Sequence, residues 1–534
     1  MKNILLICTA VIIFTDAEIF SQYINNRIFE SPSTQIEPAI VRHPANPQIL
    51  FASAFTVTLQ PSFLTSEGIY VSTNGGISWR GSDFCNGAPI VGGHGGDPGP
   101  IIDKNGNFLL IHIGGLQAGM FSNYSTDQGL NWSGNYAIQL VDVDKGSTTT
   151  DDSPASTYYG RSYAAWTKFT PPFRIVLSYT SNSGANWSNI IDINNSYGSN
   201  RSFGPAISVG PAGTVYATWA SSTSNSPFTE DCIGYAKSTN GGVNWIVNEC
   251  LIDCNGIRTT QLTPWLIRAN SYPVIDVDKS GGPRNGWIYI VVTDKNLAPA
   301  GSDPDIVLHS SADGGATWSS GTRVNQDAIN NGRNQFFPSI RVDEDGGVNI
   351  IYYDSRHSAD SVDVYLSRSV DGGVNWIDVK ITQNKFKPQS PLGSIGNMGD
   401  NIGITSGNGN LYPVWMSNYG TGQIFKTWYS IINYSTIGIK KINEKIPVSF
   451  ILKQNYPNPF NPSTKINFSV PRSLYFKLIV YDVTGKEVKT IVDQQMSPGN
   501  YETEFDGTSM ASGLYFYKLI ADKFTETKRM ILIK

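Results

Sequence analysis

Carboxylates, arginines and one tryptophan recur where loops of this chain meet strands, and their types suit acid–base and anion-binding chemistry. Asp97 lies in HGGDPGP (94–100), and Asp151 and Asp152 lie in TTTDDSP (148–154). Asp354, Arg356 and His357 lie in YYDSRHS (352–358), and Asp400 follows a glycine. Arg201 and Arg333 stand singly ahead of apolar runs, while NGIRTTQLTPWLIR (255–268) adds Arg258, Trp265 and Arg268. Paired carboxyl groups pass protons to a leaving group or water. Guanidinium forks grip carboxylates in bidentate fashion, and an indole face stacks on a flat ligand. Together these residues suit an anionic sugar. The candidate binding set is Asp97, Asp152, Arg201, Arg333, Asp354, Arg356, Asp400 and Trp265, with no catalytic residue assignable. The plainer reading is that Asp and Gly at strand ends form turns, and that Asp354 pairs with Arg356 to hold a loop.

Six octets set the frame that must position these groups. STNGGISW, STDQGLNW, TSNSGANW, STNGGVNW, SADGGATW and SVDGGVNW end at Trp79, Trp132, Trp187, Trp245, Trp318 and Trp376. All fit [ST]-x-[DN]-x-G-x-x-W. The third residue (Asn74, Asp127, Asn182, Asn240, Asp313, Asp371) can accept from downstream N–H groups. The glycine suits φ > 0, and the tryptophan can fold its ring beneath the turn. These are structural hairpin tips.

Their spacing of 53 to 73 residues indicates a solenoid or propeller. The intervening segments FGPAISVGPAGTVYATWA (203–220) and FFPSIRVDEDGGVNIIYYDSR (336–356) each read as strand, Gly/Asp turn, strand. A third strand leads into each octet and a fourth leaves it. Four antiparallel strands without helical periodicity predict an all-β propeller over 25–435. First strands beginning near Glu37, Asp97, Asp152, Phe203, Tyr272, Phe337 and Asp400 give seven blades, with six as the alternative. The seventh unit has three strands, and NNRIFES (25–31) is the candidate fourth. Octets then mark one face, and the candidate residues the other. The stretches DVDKSGG (276–282) and DEDGG (343–347) lack calcium-loop spacing and read as hairpin turns. No metal or cofactor is expected.

The 534 residues exceed one ordinary core. A hydrophobic content of 40%, only 15% charged residues and 52 glycines suit short strands and tight turns. The net charge of −4 excludes a basic nucleic-acid surface. Residues 1–21 read as a secretory signal peptide, and no later run is long enough to span a membrane. Export permits disulfides. Cys232 and Cys250 flank one octet almost symmetrically and are expected to pair, with two free thiols as the alternative; Cys85 and Cys254 are unassigned. Residues 436–446 read as a linker, and the alternating strands of 447–534 as a small Ig-like β-sandwich.

The octets resemble the Asp-box, or BNR, repeats of sialidases and related propellers, over residues from about 35 to 430. The resemblance implies a sialidase-like β-propeller, a fold shared by hydrolases, receptors and binding proteins. Sialidases carry an Arg-Ile-Pro signature ahead of their first Asp box. Here that stretch reads EPAIVRHPANP (37–47), with Arg42 and no such triplet, and no Tyr/Glu pair is assignable. NYPNPFNPST, VYDVTGKEV, SGLYFYKL and TKRMILIK resemble the C-terminal sorting domain (type A) of the type IX secretion system. That resemblance implies a secreted or outer-membrane-surface protein of a Bacteroidetes-like bacterium, with the secretion machinery as a partner. The expected activity is glycan recognition with hydrolysis open, a glycan or glycoprotein being the ligand; the alternative is a non-catalytic protein-binding or adhesive propeller.

Overall fold

Strands of β-branched and aromatic residues, cut every few residues by Gly, Asn and Asp, leave no segment among the described residues that completes an α-helix. Among the described residues one 3-10 turn, Tyr434–Thr436, is the only helical element. The computed structural model describes residues 23–59, 62–87, 92–195, 197–258, 262–391, 398–443, 445–496, 498–507 and 510–534. The expected signal peptide (1–21) lies outside them.

Seven antiparallel sheets follow one another along the chain. Their inner strands are Thr34–Arg42, Gly96–Ile102, Val143–Thr150, Arg201–Val209, Val274–Val277, Gln335–Val342 and Gly403–Gly407, in blades 1 to 7. Each blade runs outward in sequence order from this strand. Blade 7 has only three strands from its own stretch of chain. Asn26–Arg27 supplies the fourth, with Asn26 opposite Tyr429 and Arg27 opposite Trp428. The ring is thereby closed by pairing the two ends of the propeller segment. The facing sheets of neighbouring blades share their cores, as where Tyr163 and Leu177 of blade 3 meet Val215 and Trp219 of blade 4.

All six octets adopt one geometry. The leading Ser or Thr oxygen accepts from the glycine N–H at 2.8–3.1 Å. The Asn or Asp side chain accepts from the N–H four residues on at 2.9–3.0 Å. The glycine φ lies between 81° and 96°, a backbone that L side chains rarely adopt. Four tryptophans (132, 245, 318 and 376) donate their indole N–H to that glycine's carbonyl; Trp187 donates instead to Ser122 of the preceding blade. The rings also reach backward around the ring of blades. Trp132 lies 5.7 Å from Phe51 of blade 1, Trp318 5.2 Å from Tyr235 of blade 4, and Trp79 5.5 Å from Tyr429 of blade 7. Each octet is thus a clamp between its own blade and the one before it.

The C-terminal segment forms two four-stranded sheets around an aromatic core that includes Phe468, Phe476 and Tyr517. The stretch 436–446, expected as a linker, contains the strand Ile439–Asn443, which pairs with Gly499–Asp506. Alternating Ile-Lys-Lys-Ile is too short to be distinguished from a charged spacer by composition, but it suffices to edge a sheet. Cys232 and Cys250 form a disulfide with Cα atoms 5.5 Å apart. The ladder sets Asp253 opposite Cys232, and an irregularity between Ile233 and Tyr235 brings Cys250 within reach.

Candidate functional site

Five inner strands share an irregularity near their starts. The register slips between Ile36 and Ala39, Gly96 and Gly99, Asp144 and Gly146, Phe203 and Ala206, and Phe336 and Ser339. At each slip one residue holds a left-handed backbone: Glu37 (φ 57°), Asp97 (54°), Lys145 (49°), Gly204 (58°) and Phe337 (54°). Proline follows four of these five residues, and its missing N–H suits a ladder position left unpaired. Such backbones are held against strain and often re-aim a side chain. Here they serve the mouth of the central channel, on the face opposite the octets.

The mouth is asymmetric. Over blades 6 and 7 it is filled by an apolar cluster including Phe336, Phe337, Phe386 and Met416. Trp265, expected as an exposed stacking platform, belongs to that cluster, 7% exposed and 5.7 Å from Phe336. An indole on a long insertion finds apolar neighbours before it finds solvent. On the other side a cavity of about 300 Å³ remains open, lined among others by Glu37, Asp97, Asp144, Arg258, Arg268, Tyr272 and Asp400.

One carboxylate oxygen from each of Glu37, Asp97 and Asp400 lies within 4.8 Å of the others. Lys145 supplies positive charge to this cluster, its Nζ standing 2.8 Å from Asp400 Oδ1 and 4.0 Å from Asp97 Oδ1. Its own N–H donates to Asp97 Oδ2 at 2.9 Å, and the N–H of Asp97 donates to Glu37 Oε2 at 3.4 Å. The environment drives the carboxyl groups apart. Burial, then the charges of Asp97 and Asp400, push Glu37 well above the usual range. Burial lifts Asp97 to about 7, against the pull of Lys145. Burial works on Asp400 too, but the Lys145 charge and hydrogen bond, with Arg268 and Arg258 beyond, outweigh it and hold Asp400 low. Burial opposes the charge on Lys145, yet Asp400, Asp97 and Glu37 together raise it. Near neutral pH the cluster therefore holds both proton-bearing and ionised carboxyls.

The facing wall comes from the insertion between blades 4 and 5. Buried Glu230 fixes it, accepting from the N–H of Arg258 at 2.9 Å and of Ser271 at 3.0 Å. The Arg258 guanidinium donates to the Tyr272 hydroxyl. Tyr272 lies over Gly204, where a Cβ would fall 2.3 Å from its ring, so blade 4 has no side chain at its bulge.

Of the eight candidates drawn from sequence, Asp97 and Asp400 line this cavity. Asp152 does not. The inner strand of blade 3 is Val143–Thr150, so Asp152 follows that strand instead of preceding it. It lines a second cavity of about 180 Å³ at the opposite mouth and pairs with Lys279 at 2.6 Å. The strand was obscured because all eight of its residues are partly buried in a polar channel, leaving no in–out alternation. Asp354 and Arg356 pair at 2.7 Å, and Arg356 also binds Asp378 at 2.8 Å, a loop-holding network. Arg333 is tied through its N–H to Asp303 and Asn331, and Arg201 lies between two phenylalanines beside the cavity. Glu37, Asp144, Lys145 and Tyr272 were missed as site residues; for Glu37 and Tyr272 the recurring x-Pro before strands was an available signal, and Asp144 and Lys145 carry no proline after them. His94, near Asp97 in sequence, is buried with His112 beneath the site, ring centroids 3.9 Å apart.

The chain thus combines a seven-bladed β-propeller with a C-terminal β-sandwich. Residues 454–534 match the family described as "Secretion system C-terminal sorting domain". The protein accordingly carries a type IX sorting signal, directing it to the cell surface or beyond. No helix among the described residues is long and apolar enough to cross a membrane. No curated protein matches the chain. Among solved structures it is similar to the α-L-arabinanase of Penicillium chrysogenum complexed with arabinobiose, at 16% identity over 68% of this chain and 97% of that one, TM-score 0.39. It is also similar to the leech intramolecular trans-sialidase, at 12% identity over 78% and 71%, TM-score 0.38. A third likeness is to the NanB sialidase of Streptococcus pneumoniae, at 12% over 77% and 71%, TM-score 0.41.

Proposed function

We propose that the channel mouth binds the terminal sugar of an acidic glycan outside the cell and cleaves its glycosidic bond. The observation that carries this reading is the opposed protonation of carboxyl groups within 4.8 Å of one another: Asp400 held ionised beside Lys145, Asp97 raised to about 7. Asp97 is then the proton donor to the leaving oxygen, since an acid titrating near the working pH transfers its proton most effectively. Asp400 faces the developing positive charge at the anomeric carbon. The spacing is nearer the roughly 5–5.5 Å of retaining pairs than the roughly 6.5–9.5 Å of inverting ones. Arg258 and Arg268 on the facing wall favour a carboxylate on the sugar. A cavity of about 300 Å³ accepts one sugar ring. Among the described residues two arginines line it, so the reading rests on this pair and not on a sialidase arginine triad.

A fluorogenic glycoside panel run beside a glycan array tests the proposal. Turnover of an acidic glycoside, reduced at least about a hundredfold in Asp97→Asn and in Asp400→Asn, is the expected outcome. Array binding without turnover would reduce the site to recognition. Silence in both assays would favour a protein-binding propeller.

A further inference from the structure

Beside the cavity, Arg201 opens the inner strand of blade 4 three residues ahead of the Gly204 bulge. Its guanidinium lies 4.4 Å from the Phe173 ring of blade 3 and 4.4 Å from the Phe228 ring of its own blade. Among the described residues its guanidinium has no hydrogen-bond or carboxylate partner. Phe228 is itself held at φ 60°, a backbone that a bulky residue adopts only when its surroundings compel it. Stacking on both faces fixes the plane of a guanidinium and leaves its N–H edge as an open fork.

This fork is continuous with the cavity. Phe203 is two residues further along the strand, on the same side and roughly 7 Å away. Its ring is 6.2 Å from that of Phe173 and 5.3 Å from the Arg258 guanidinium. Packing contacts therefore run from Arg258 through Phe203 and Phe173 to Arg201. Phe203 is buried, so the two arginines are joined by aromatic packing beneath the surface, and a ligand reaching both would cross above it.

We infer that Arg201 forms a second anion subsite, and that the ligand is an oligosaccharide with an acidic group on more than one residue. The inference rests on the mouth pocket binding the terminal sugar, as proposed above. The anion is a carboxylate or a sulfate ester, which a guanidinium fork binds alike.

Calorimetric titration of the full chain separates these possibilities. The probes are a uronic acid, its linear tetramer, a sulfated tetramer and an uncharged tetramer. The tetra-acid is expected to bind about tenfold tighter than the monomer, and Arg201→Ala to abolish that gain while leaving monomer affinity and the melting temperature unchanged. The stronger of the uronate and sulfated tetramers identifies the anion. Equal affinity for monomer and tetramer, with monomer binding lost in Arg258→Ala, would overturn the second subsite and leave the mouth pocket standing. An uncharged tetramer binding as well as the acidic ones would overturn it too. Failure of all four probes on the wild type would overturn both.

Discussion

The Lys145 ammonium lies 2.8 Å from the Asp400 carboxylate, so a residue of blade 3 reaches across the channel mouth to one of blade 7. This pair keeps one carboxyl ionised among several that burial pushes toward neutrality. Lys145→Met is expected to destabilise the propeller by about 3 kcal/mol at pH 8, because removing one partner strands a poorly solvated charge. The loss should shrink at pH 5. A carboxyl whose folded pKa is raised stabilises the fold below its unfolded value and loses that contribution as pH rises through the folded value. Chemical denaturation at the two pH values measures this difference.

Ligand affinity should depend on pH in the same sense. Below about 7 Asp97 holds its proton, and burial pushes Glu37 in the same direction, so the charges of Lys145, Arg258 and Arg268 are less opposed. As pH rises through this range Asp97 ionises and the mouth becomes more negative. The dissociation constant for an acidic sugar should therefore increase between pH 6 and 8, while that for an uncharged sugar stays flat.

The buried histidines act at the acid end. Burial lowers His94 to about 2, with His112 adding to the effect, and burial lowers His112 to about 4. Their folded values lie below the unfolded value of about 6.5, so the unfolded chain takes up protons first and stability falls as pH drops below about 6.5. For His112 the loss down to pH 4 is about 3 kcal/mol. The urea midpoint should fall between pH 7 and 4.5, and His112→Gln should flatten that fall.

The octets should matter to stability and not to binding. At Gly373, with φ 96°, an added Cβ would fall 2.5 Å from the Leu308 side chain of the preceding blade. Gly373→Ala is expected to lower stability by at least about 1–2 kcal/mol and to leave ligand affinity unchanged. A change in affinity without a change in melting temperature would place the ligand on the octet face.

Much of the fold was legible because the octets repeat a local chemistry that one stretch of chain satisfies by itself. The N-terminal strand was legible because blade 7 visibly lacked a fourth. The site was less so. Glu37 and Lys145 work through backbone bulges in strands whose polar channel-facing residues break the alternation that marks a strand. Trp265 and the Asp354–Arg356 pair have the residue types of a site and serve packing and loop-holding, a distinction set by neighbours distant in sequence. Arg258 was visible in the long insertion; the buried Glu230 that fixes its main chain was not.

The disulfide gives a further check. Bridging residues 18 apart, it should contribute roughly 3 kcal/mol. The paired Cys232→Ser and Cys250→Ser substitutions should lower the melting temperature of the protein, with secretion through the sorting domain intact.

A crystal structure of the protein soaked with an acidic oligosaccharide tests the central claim most directly. The terminal sugar is expected between Asp97 and Asp400 on one side and Arg258 and Arg268 on the other, with the chain leading toward Arg201. Ligand bound instead at the opposite mouth beside Asp152, or on the octet face, would contradict it.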